Sequence, residues 1–167
     1  DKLSPEVKEL KKIIQKIKKE EIFGMNVTVP FKQKVIPFVE SLSETAVKTN
    51  SVNTIFNKNG KIYGDNTDVY GFEKSITNKK INLEGKSVFI FGAGGVVPSI
   101  ILSLMELKIG KIFVSNRTLE NTKFIKKKFD TVEVIHWGKL EDCDLYINCT
   151  SVGLKENENL EFDFNIL

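Results

Sequence analysis

Apolar residues recur every three or four positions along the first segment of the chain, with polar residues between them. The positions that would share one helical face are Val7, Leu10, Ile13, Ile14 and Ile17. Ser4 suits an N-cap and Pro5 the first helical position, so the pattern predicts an amphipathic helix that begins there. Its many lysines are most simply a solvated face; contact of that basic face with a membrane or a partner is the alternative.

Short apolar runs separated by turn signals follow this helix. The predicted elements, in order, are a strand at 22–29, helices at 32–39 and 43–48, strands at 52–56 and 61–63, a loop at 65–67 and a helix at 68–77. Pro30 ends the first strand because proline cannot donate a ladder hydrogen bond. The Asn59-Gly60 pair between two apolar runs is typical of a β-hairpin.

Strands alternate with helices from Ser87 onward. The predicted elements are strands at 87–91, 111–115, 132–135 and 144–148, helices at 96–108 and 118–129, and a glycine-rich turn at 92–95. Alternation of this kind implies right-handed crossovers and a parallel sheet. The pattern changes near residues 69–85. We therefore expect an α/β protein of two parts, an α/β portion over 1–68 and a Rossmann-like parallel-sheet domain over 69–167.

The composition is that of a folded, soluble protein. The 167 residues are 41% hydrophobic and carry a net charge of +3, which gives no strong nucleic-acid footprint. The apolar runs are too short to span a bilayer and no signal peptide opens the chain, so we expect a cytoplasmic protein without a membrane partner. Cys143 and Cys149 lack the spacing of a zinc site or a disulfide framework, and no metal is expected.

A glycine-rich turn lies between a predicted strand and a predicted helix. Its sequence is Phe91-Gly92-Ala93-Gly94-Gly95-Val96. The first glycine would permit the tight turn, and the second would let a pyrophosphate approach the backbone at the N-terminus of the helix. Position 97 holds valine where the strict dinucleotide motif has glycine. The turn therefore predicts a variant dinucleotide site, with a plain turn that binds no ligand as the alternative.

A single arginine, Arg117, stands among the 25 basic residues. It lies in Ser115-Asn116-Arg117-Thr118 at the end of the next predicted strand, where NAD sites usually place an acidic residue. A carboxylate would repel a 2′-phosphate, whereas a guanidinium binds it in a planar, two-point geometry. The sequence therefore favours NADP(H) over NAD, and a surface arginine without a role is the alternative.

Two charged residues of the first part stand in settings that suit chemistry. Lys32 is predicted at the start of a helix, where the helix dipole favours release of its proton. Asp68 ends the sequence Gly64-Asp65-Asn66-Thr67-Asp68, where the two parts meet and a cofactor that crosses a cleft would bring its nicotinamide. From spacing alone, the interpretation of each residue as a cap or a solvated charge is favoured over a chemical role.

Six motifs occur in one order along the chain. They are N-V-T-V-P-F-K at 26–32, S-V-N-T-I at 51–55, G-D-N-T-D at 64–68, G-A-G-G at 92–95, N-R-T at 116–118 and N-C-T-S-V-G at 148–153. Together they resemble the motifs of the shikimate dehydrogenase family. The resemblance runs from about Gly24 to Leu154, which is most of the chain.

The resemblance implies reversible, NADP-dependent reduction of 3-dehydroshikimate to shikimate, a step of aromatic amino-acid biosynthesis. It assigns Lys32 and Asp68 as the catalytic pair, with Thr28 and Asn53 as further contacts to the substrate. It places Glu44 near the cofactor. The other cofactor contacts that it implies are Gly92, Ala93, Gly94, Gly95, Val96, Asn116, Arg117, Thr118 and, on the adenosine side, Thr150.

The chain departs from the family pattern at both ends. The family's N-terminal strand with its serine motif is missing before Asp1, and the last strands of the Rossmann-like domain are missing after Leu167. The second basic residue that usually follows N-R-T is replaced near Asn121, and Lys123 is a candidate to take its place. The chain is then either part of an active enzyme, as monomer or homodimer, or a non-catalytic nucleotide-binding module. A quinate/shikimate dehydrogenase of relaxed specificity is the other enzymatic alternative.

Overall fold

The computed structural model describes residues 7–166, and the chain divides into two compact units, Asp1–Gly71 and Phe72–Leu167. The N-terminal cap expected at Ser4 and Pro5 lies outside the described residues. Within 7–166, every helix is too short or too polar to cross a membrane.

A four-stranded mixed sheet forms the first unit. Its elements are α1 (Val7–Lys18), β1 (Gly24–Asn26), a 3₁₀ helix (Ile36–Phe38), β2 (Ser41–Leu42), α2 (Glu44–Thr49), β3 (Thr54–Lys58) and β4 (Lys61–Asp65), and α3 (Asp68–Thr77) begins in it. The strand order is β1-β3-β4-β2, with β2 parallel to β4 and the other pairs antiparallel. The β3–β4 hairpin turns at Asn59 and Gly60, both with positive φ as a two-residue loop requires, so the predicted hairpin is confirmed.

Helix α1 covers this sheet with the apolar face that the sequence predicts. Leu10, Ile14 and Ile17 are buried against Ile55 and Ile62 of the hairpin strands. Lys11, Lys12, Lys16 and Lys18 of α1 are exposed on its other faces. Removal of this apolar stripe from water is the main stabilising contribution that the helix can make.

The segment between β1 and α2 differs from the prediction. The strand expected over 22–29 is shorter in the structure, where β1 spans Gly24–Asn26. The Val27 amide still donates to the Asn53 carbonyl (2.7 Å) in the register of the β1–β3 ladder, and the chain turns after it. The helix expected over 32–39 is wrong. Turns occupy its first half and the short 3₁₀ helix its second, since Pro37 has no amide to donate. No α-helix begins at Lys32, so the helix-dipole argument does not apply to it.

A four-stranded parallel sheet forms the second unit, as the sequence predicts. Its elements are β5 (Ser87–Phe91), α4 (Val97–Glu106), β6 (Lys111–Ser115), α5 (Leu119–Lys128), β7 (Val132–Ile135) and β8 (Leu145–Asn148), followed by a 3₁₀ turn at Phe164–Ile166. The strand order is β7-β6-β5-β8, and all pairs are parallel. On one face, alternate strand residues pack against Ile101 and Leu104 of α4 and Ile125 of α5.

Aromatic rings cover the other face of this sheet. We call them the aromatic cluster, which consists of Phe89, Phe91, Trp137, Tyr146, Phe162 and Phe164. Phe162 contacts Phe91 at 4.8 Å and Trp137 at 4.7 Å between ring centroids, both edge to face. Edge-to-face pairs of this kind fix the orientation of rings as well as burying them. The segment after β8 therefore holds Trp137 against the sheet.

Candidate active site and nucleotide groove

Lys32 and Asp68 form an ion pair within the first unit. The Lys32 ammonium donates to Asp68 Oδ2 at 2.7 Å, and their side chains are 14% and 25% exposed. Asp68 is the first residue of α3, and the Lys32 carbonyl accepts a hydrogen bond from the Val52 amide. The structure thus brings together the two residues that the sequence singled out, in a setting where water screens the pair only in part.

Asn53 holds the other carboxylate oxygen of Asp68. Its Nδ2 donates to Asp68 Oδ1 and to Thr67 Oγ1, both at 2.9 Å, while its Oδ1 accepts from the Thr67 amide at 3.0 Å. Its backbone is bonded on one side to Val27 and on the other to Asp65. Asn53 is therefore anchored at both main chain and side chain, and it orients the Asp68 carboxylate.

Asn66 connects the start of α3 to the segment at Thr49 and Ser51. Its side chain is buried, accepts from the Asp68 amide at 3.0 Å, and donates to Thr49 Oγ1 and the Ser51 carbonyl. Asn66 and Thr67 are contributions that the sequence reasoning missed. Asparagine often forms an Asx turn by accepting from the backbone amide two residues on, and that signal could have identified Asn66.

Thr28 and Glu44, two further predicted site residues, form no hydrogen bond to Lys32, Asp68 or Asn53 in the described part of the chain. Thr28 lies in the turn that leads to Lys32, and within residues 7–166 its exposed hydroxyl has no hydrogen-bond partner. Glu44 begins α2, where it pairs with Lys48 at 2.6 Å; the hydrogen bond from Lys48 lowers the pKa of Glu44. The structure does not bring Glu44 into the Lys32–Asp68–Asn53 network.

A groove of about 240 Å³ lies at the carboxyl ends of the parallel strands in the second unit. We call it the glycine-turn groove; its lining residues are Gly92, Ala93, Gly94, Asn116, Arg117, Asn121, Trp137, Cys149, Thr150, Ser151 and Val152. Six of the predicted cofactor contacts are among them, whereas Gly95, Val96 and Thr118 are not. Ligands of open parallel sheets bind at this end of the strands.

The glycines of the turn are required for different structural reasons. Gly92 has φ +102°, and a Cβ there would lie 3.0 Å from the backbone of Cys149. Gly94 and Gly95 have no atom within 4 Å of a Cβ position. The prediction that the first glycine permits the tight turn is therefore confirmed. The later glycines leave open space in the turn that leads into α4, where the helix dipole favours an anion.

Asn116 and Arg117 follow β6 beside the glycine turn. Asn116 Oδ1 accepts from the Ala93 amide at 3.2 Å, and its Nδ2 donates to the Thr118 carbonyl, so it ties the two loops together. Arg117 is exposed and forms no ion pair with any described residue. Asn121 lines the groove, and Lys123 does not. Among the described residues that line the groove, Arg117 is the one with a cationic side chain.

The loop after β8 forms the opposite wall. Asn148 Oδ1 accepts from both the amide and the hydroxyl of Thr150, and the Thr150 hydroxyl accepts from the Val152 amide. Cys149 donates its amide to the Phe91 carbonyl, and burial raises the pKa of its thiol to about 11. Cys149 is thus a neutral packing residue in a loop that its own hydrogen bonds hold in shape.

Trp137 is a groove residue to which the sequence reasoning assigned no role. It follows β7 by two residues and lines the groove with its partly buried side chain. The rule that ligands bind beyond the carboxyl ends of parallel strands applies to β7 as well, and it could have drawn attention to this residue.

A parallel sheet with a glycine turn after β5 and an arginine after β6 defines the dinucleotide-binding class of α/β proteins. Two family profiles match the chain: "Shikimate dehydrogenase substrate binding domain" over residues 2–55 and "Shikimate / quinate 5-dehydrogenase" over residues 74–153. The chain belongs to the shikimate dehydrogenase family.

Individual relatives agree with this membership. The shikimate dehydrogenase (NADP(+)) of Pelagibacter ubique is 46% identical over 156 residues, which cover 93% of this chain and 59% of that protein. The crystal structure of the Aquifex aeolicus shikimate dehydrogenase has a TM-score of 0.88 at 35% identity and covers 99% of this chain and 61% of its own. The Thermus thermophilus enzyme, solved in complex with NADP(H) and shikimate, has a TM-score of 0.76 at 26% identity over 92% of this chain and 56% of its own. The chain thus spans about 60% of the length of the relatives that it matches.

Proposed function

We propose that the protein containing this chain is an NADP-dependent dehydrogenase that reversibly reduces 3-dehydroshikimate to shikimate. The observation that carries the proposal is the Lys32–Asp68 pair, 2.7 Å apart and braced by Asn53. The relatives named shikimate dehydrogenase (NADP(+)) support this choice of substrate and cofactor.

The glycine-turn groove fits NADP(H). The open space at Gly94 and Gly95, at the positive end of the α4 dipole, suits a pyrophosphate, and Arg117 suits a 2′-phosphate. No acidic residue stands at 115–118 to repel that phosphate. The cofactor, when bound, supplies the hydride for the reaction. Asn116, Thr118 and Thr150 complete the set of residues that we expect to position it.

Lys32 and Asp68 have the chemistry that a ketone reduction requires. Hydride addition to the carbonyl carbon breaks the carbon–oxygen π bond and leaves the electron pair on oxygen. The Lys32 ammonium gives that oxygen a proton, so that an N–H bond breaks and an O–H bond forms; the neutral amine takes the proton back in the oxidation direction. Asp68 holds the ammonium in place, and the Thr28 hydroxyl can orient a substrate hydroxyl.

An enzymatic assay tests the proposal directly. The longest natural chain that contains residues 1–167 is given shikimate or quinate, each with NADP or NAD, and formation of the reduced cofactor is followed by absorbance. We expect shikimate with NADP to be the fastest combination. Nucleotide binding without oxidation of either substrate would overturn the dehydrogenase function, and equal rates with quinate would indicate relaxed specificity.

We further propose a cytoplasmic enzyme that acts as a monomer or a homodimer. Cys143 and Cys149 are free thiols, as is usual for proteins of reducing compartments. Analytical ultracentrifugation of the same chain measures the oligomeric state, and a larger assembly would contradict this part of the proposal.

A further inference from the structure

Trp137 stands at one end of a row of loops that follow the parallel strands. Because the strand order is β7-β6-β5-β8, the loops at their carboxyl ends present Trp137, then Arg117, then the glycine turn, then Thr150. Trp137 is therefore next to Arg117 in the row, on the side away from the glycine turn. All four features line the same groove.

The aromatic cluster fixes Trp137 without burying it fully. Phe162 meets the indole edge to face at 4.7 Å between ring centroids, and the indole Nε1 lies 3.5 Å from Glu161 Oε2. The side chain is partly exposed and lines the groove. A large, flat, preoriented ring on a groove wall loses little side-chain entropy when a ligand binds to it.

We propose that Trp137 provides the aromatic surface that binds the adenine ring of the nucleotide. This inference rests on the proposed function in one respect, namely that an adenine nucleotide carrying a 2′-phosphate occupies the groove. The 2′-phosphate and the adenine are both attached to the same ribose. With the pyrophosphate at the turn after β5 and the 2′-phosphate at Arg117 after β6, the base extends toward the loop after β7, where Trp137 lies.

Stacking of a base on an aromatic ring contributes affinity with little dependence on which base it is. Trp137 is then a binding residue that strengthens the nucleotide complex, and Arg117 is the residue that selects the phosphorylated form. Leucine at 137 keeps an apolar side chain but removes the π surface, whereas phenylalanine keeps a smaller one. The two substitutions therefore separate aromatic stacking from apolar packing.

Calorimetric titration of adenosine 2′,5′-bisphosphate into the longest natural chain tests the inference. We expect Trp137→Leu to weaken binding on the order of tenfold and Trp137→Phe to recover most of the loss. Phe164→Leu is the matched control, because it removes a ring of the same aromatic cluster that does not line the groove. Its affinity should stay close to that of the parent.

Tryptophan emission gives a second, independent readout. Trp137 is the single tryptophan of the sequence, and the difference between the parent and Trp137→Phe assigns its emission in a longer chain. We expect the bisphosphate to quench that emission. Unchanged affinity of Trp137→Leu together with unchanged emission at saturation overturns the inference and leaves the dehydrogenase function intact. A response at Trp137 without any shikimate oxidation overturns that function and supports the inference, whereas a parent that binds no adenine nucleotide overturns both.

Discussion

The two oxygens of the Asp68 carboxylate have different partners. Oδ2 accepts from the Lys32 ammonium, and Oδ1 accepts from the Asn53 amide. An ammonium has three N–H donors, and within residues 7–166 only one of those of Lys32 is used. Two donors therefore remain for a substrate oxygen. In this arrangement the carboxylate serves as the fixed group and the lysine as the group that moves a proton.

Replacement of Lys32 by alanine should separate chemistry from nucleotide binding. We expect turnover with shikimate and NADP to fall by roughly 10²- to 10⁴-fold, the usual contribution of a positioned acid–base group. The affinity for NADPH, measured by calorimetry, should change little because the groove residues lie in the second unit. Lys34→Ala is the control, since Lys34 is exposed and lies outside the network. Equal losses of turnover and NADPH affinity would contradict the role assigned to Lys32.

Replacement of Arg117 by alanine should change the choice between cofactors. A charge-assisted hydrogen bond to phosphate contributes about 1.5–3 kcal/mol, so NADP binding should weaken roughly 10- to 100-fold. NAD has no 2′-phosphate, and its affinity should stay nearly constant. Titrations of both cofactors into Arg117→Ala and into the control Lys123→Ala measure the effect. A parallel loss of NADP and NAD affinity in Arg117→Ala would refute the phosphate contact.

The residues that the sequence could indicate were those in short, ordered motifs. Lys32, Asp68 and Asn53 were indicated in this way, and the structure shows them in contact. Trp137 and Asn66 were not assigned roles, because their environments depend on long-range packing. The Phe162 ring that orients Trp137 is 25 residues away along the chain, and the Ser51 carbonyl that binds Asn66 belongs to another loop.

Whole elements were predictable where one packing mode dominates. Strands β5, β6 and β7 agree with the predicted bounds, because strands of a parallel sheet that is covered on both faces form continuous apolar runs. The segment from β1 to the 3₁₀ helix was mispredicted. After β1 its backbone bonds include one to a distant partner, from the Val52 amide to the Lys32 carbonyl, and local periodicity carries no record of such a bond.

Substitutions in the glycine turn between β5 and α4 should separate protein stability from nucleotide binding. Gly92→Ala forces alanine into a positive φ and a 3.0 Å approach to Cys149, so it should destabilise the protein by at least about 1 kcal/mol. Gly94→Ala meets no protein atom within 4 Å and needs no positive φ, so its free energy of unfolding should equal or slightly exceed that of the parent. Its added methyl should nevertheless weaken NADP binding by blocking approach to the backbone.

Urea unfolding and NADP titration of both variants check this pair of expectations. Gly85→Ala is the control for backbone strain, because Gly85 also has a positive φ but no atom within 4 Å and does not line the groove. Full NADP affinity in Gly94→Ala would contradict a nucleotide that lies against this turn.

Each unit of the molecule contains a carboxylate that accepts a hydrogen bond from a backbone amide. In the first unit the Ile62 amide, with Lys18, lowers the pKa of Glu40. In the second unit the Ser87 amide lowers the pKa of Asp144, with further hydrogen bonds from Lys86 and the Ser87 hydroxyl. A carboxyl whose pKa is lower in the folded than in the unfolded state stabilises the fold above its unfolded pKa. That stabilisation is lost as the pH falls toward the folded pKa, so acid should weaken both units.

Asp144→Asn should therefore lower the melting temperature in a pH-dependent way. At neutral pH the parent has the ionised carboxylate that joins the starts of β5 and β8, and the variant lacks its charge. The difference in melting temperature should shrink as the pH falls below about 4, the unfolded pKa of aspartate, because the parent then loses the same charge. Thermal unfolding by circular dichroism at several pH values measures this difference.

Asp142→Asn is the control, because Asp142 is an exposed neighbour for which no hydrogen bond is found in the described part of the chain. A difference in melting temperature between Asp144→Asn and the parent that is constant with pH, or equal to that of the control, would refute the link between the Asp144 carboxylate and stability.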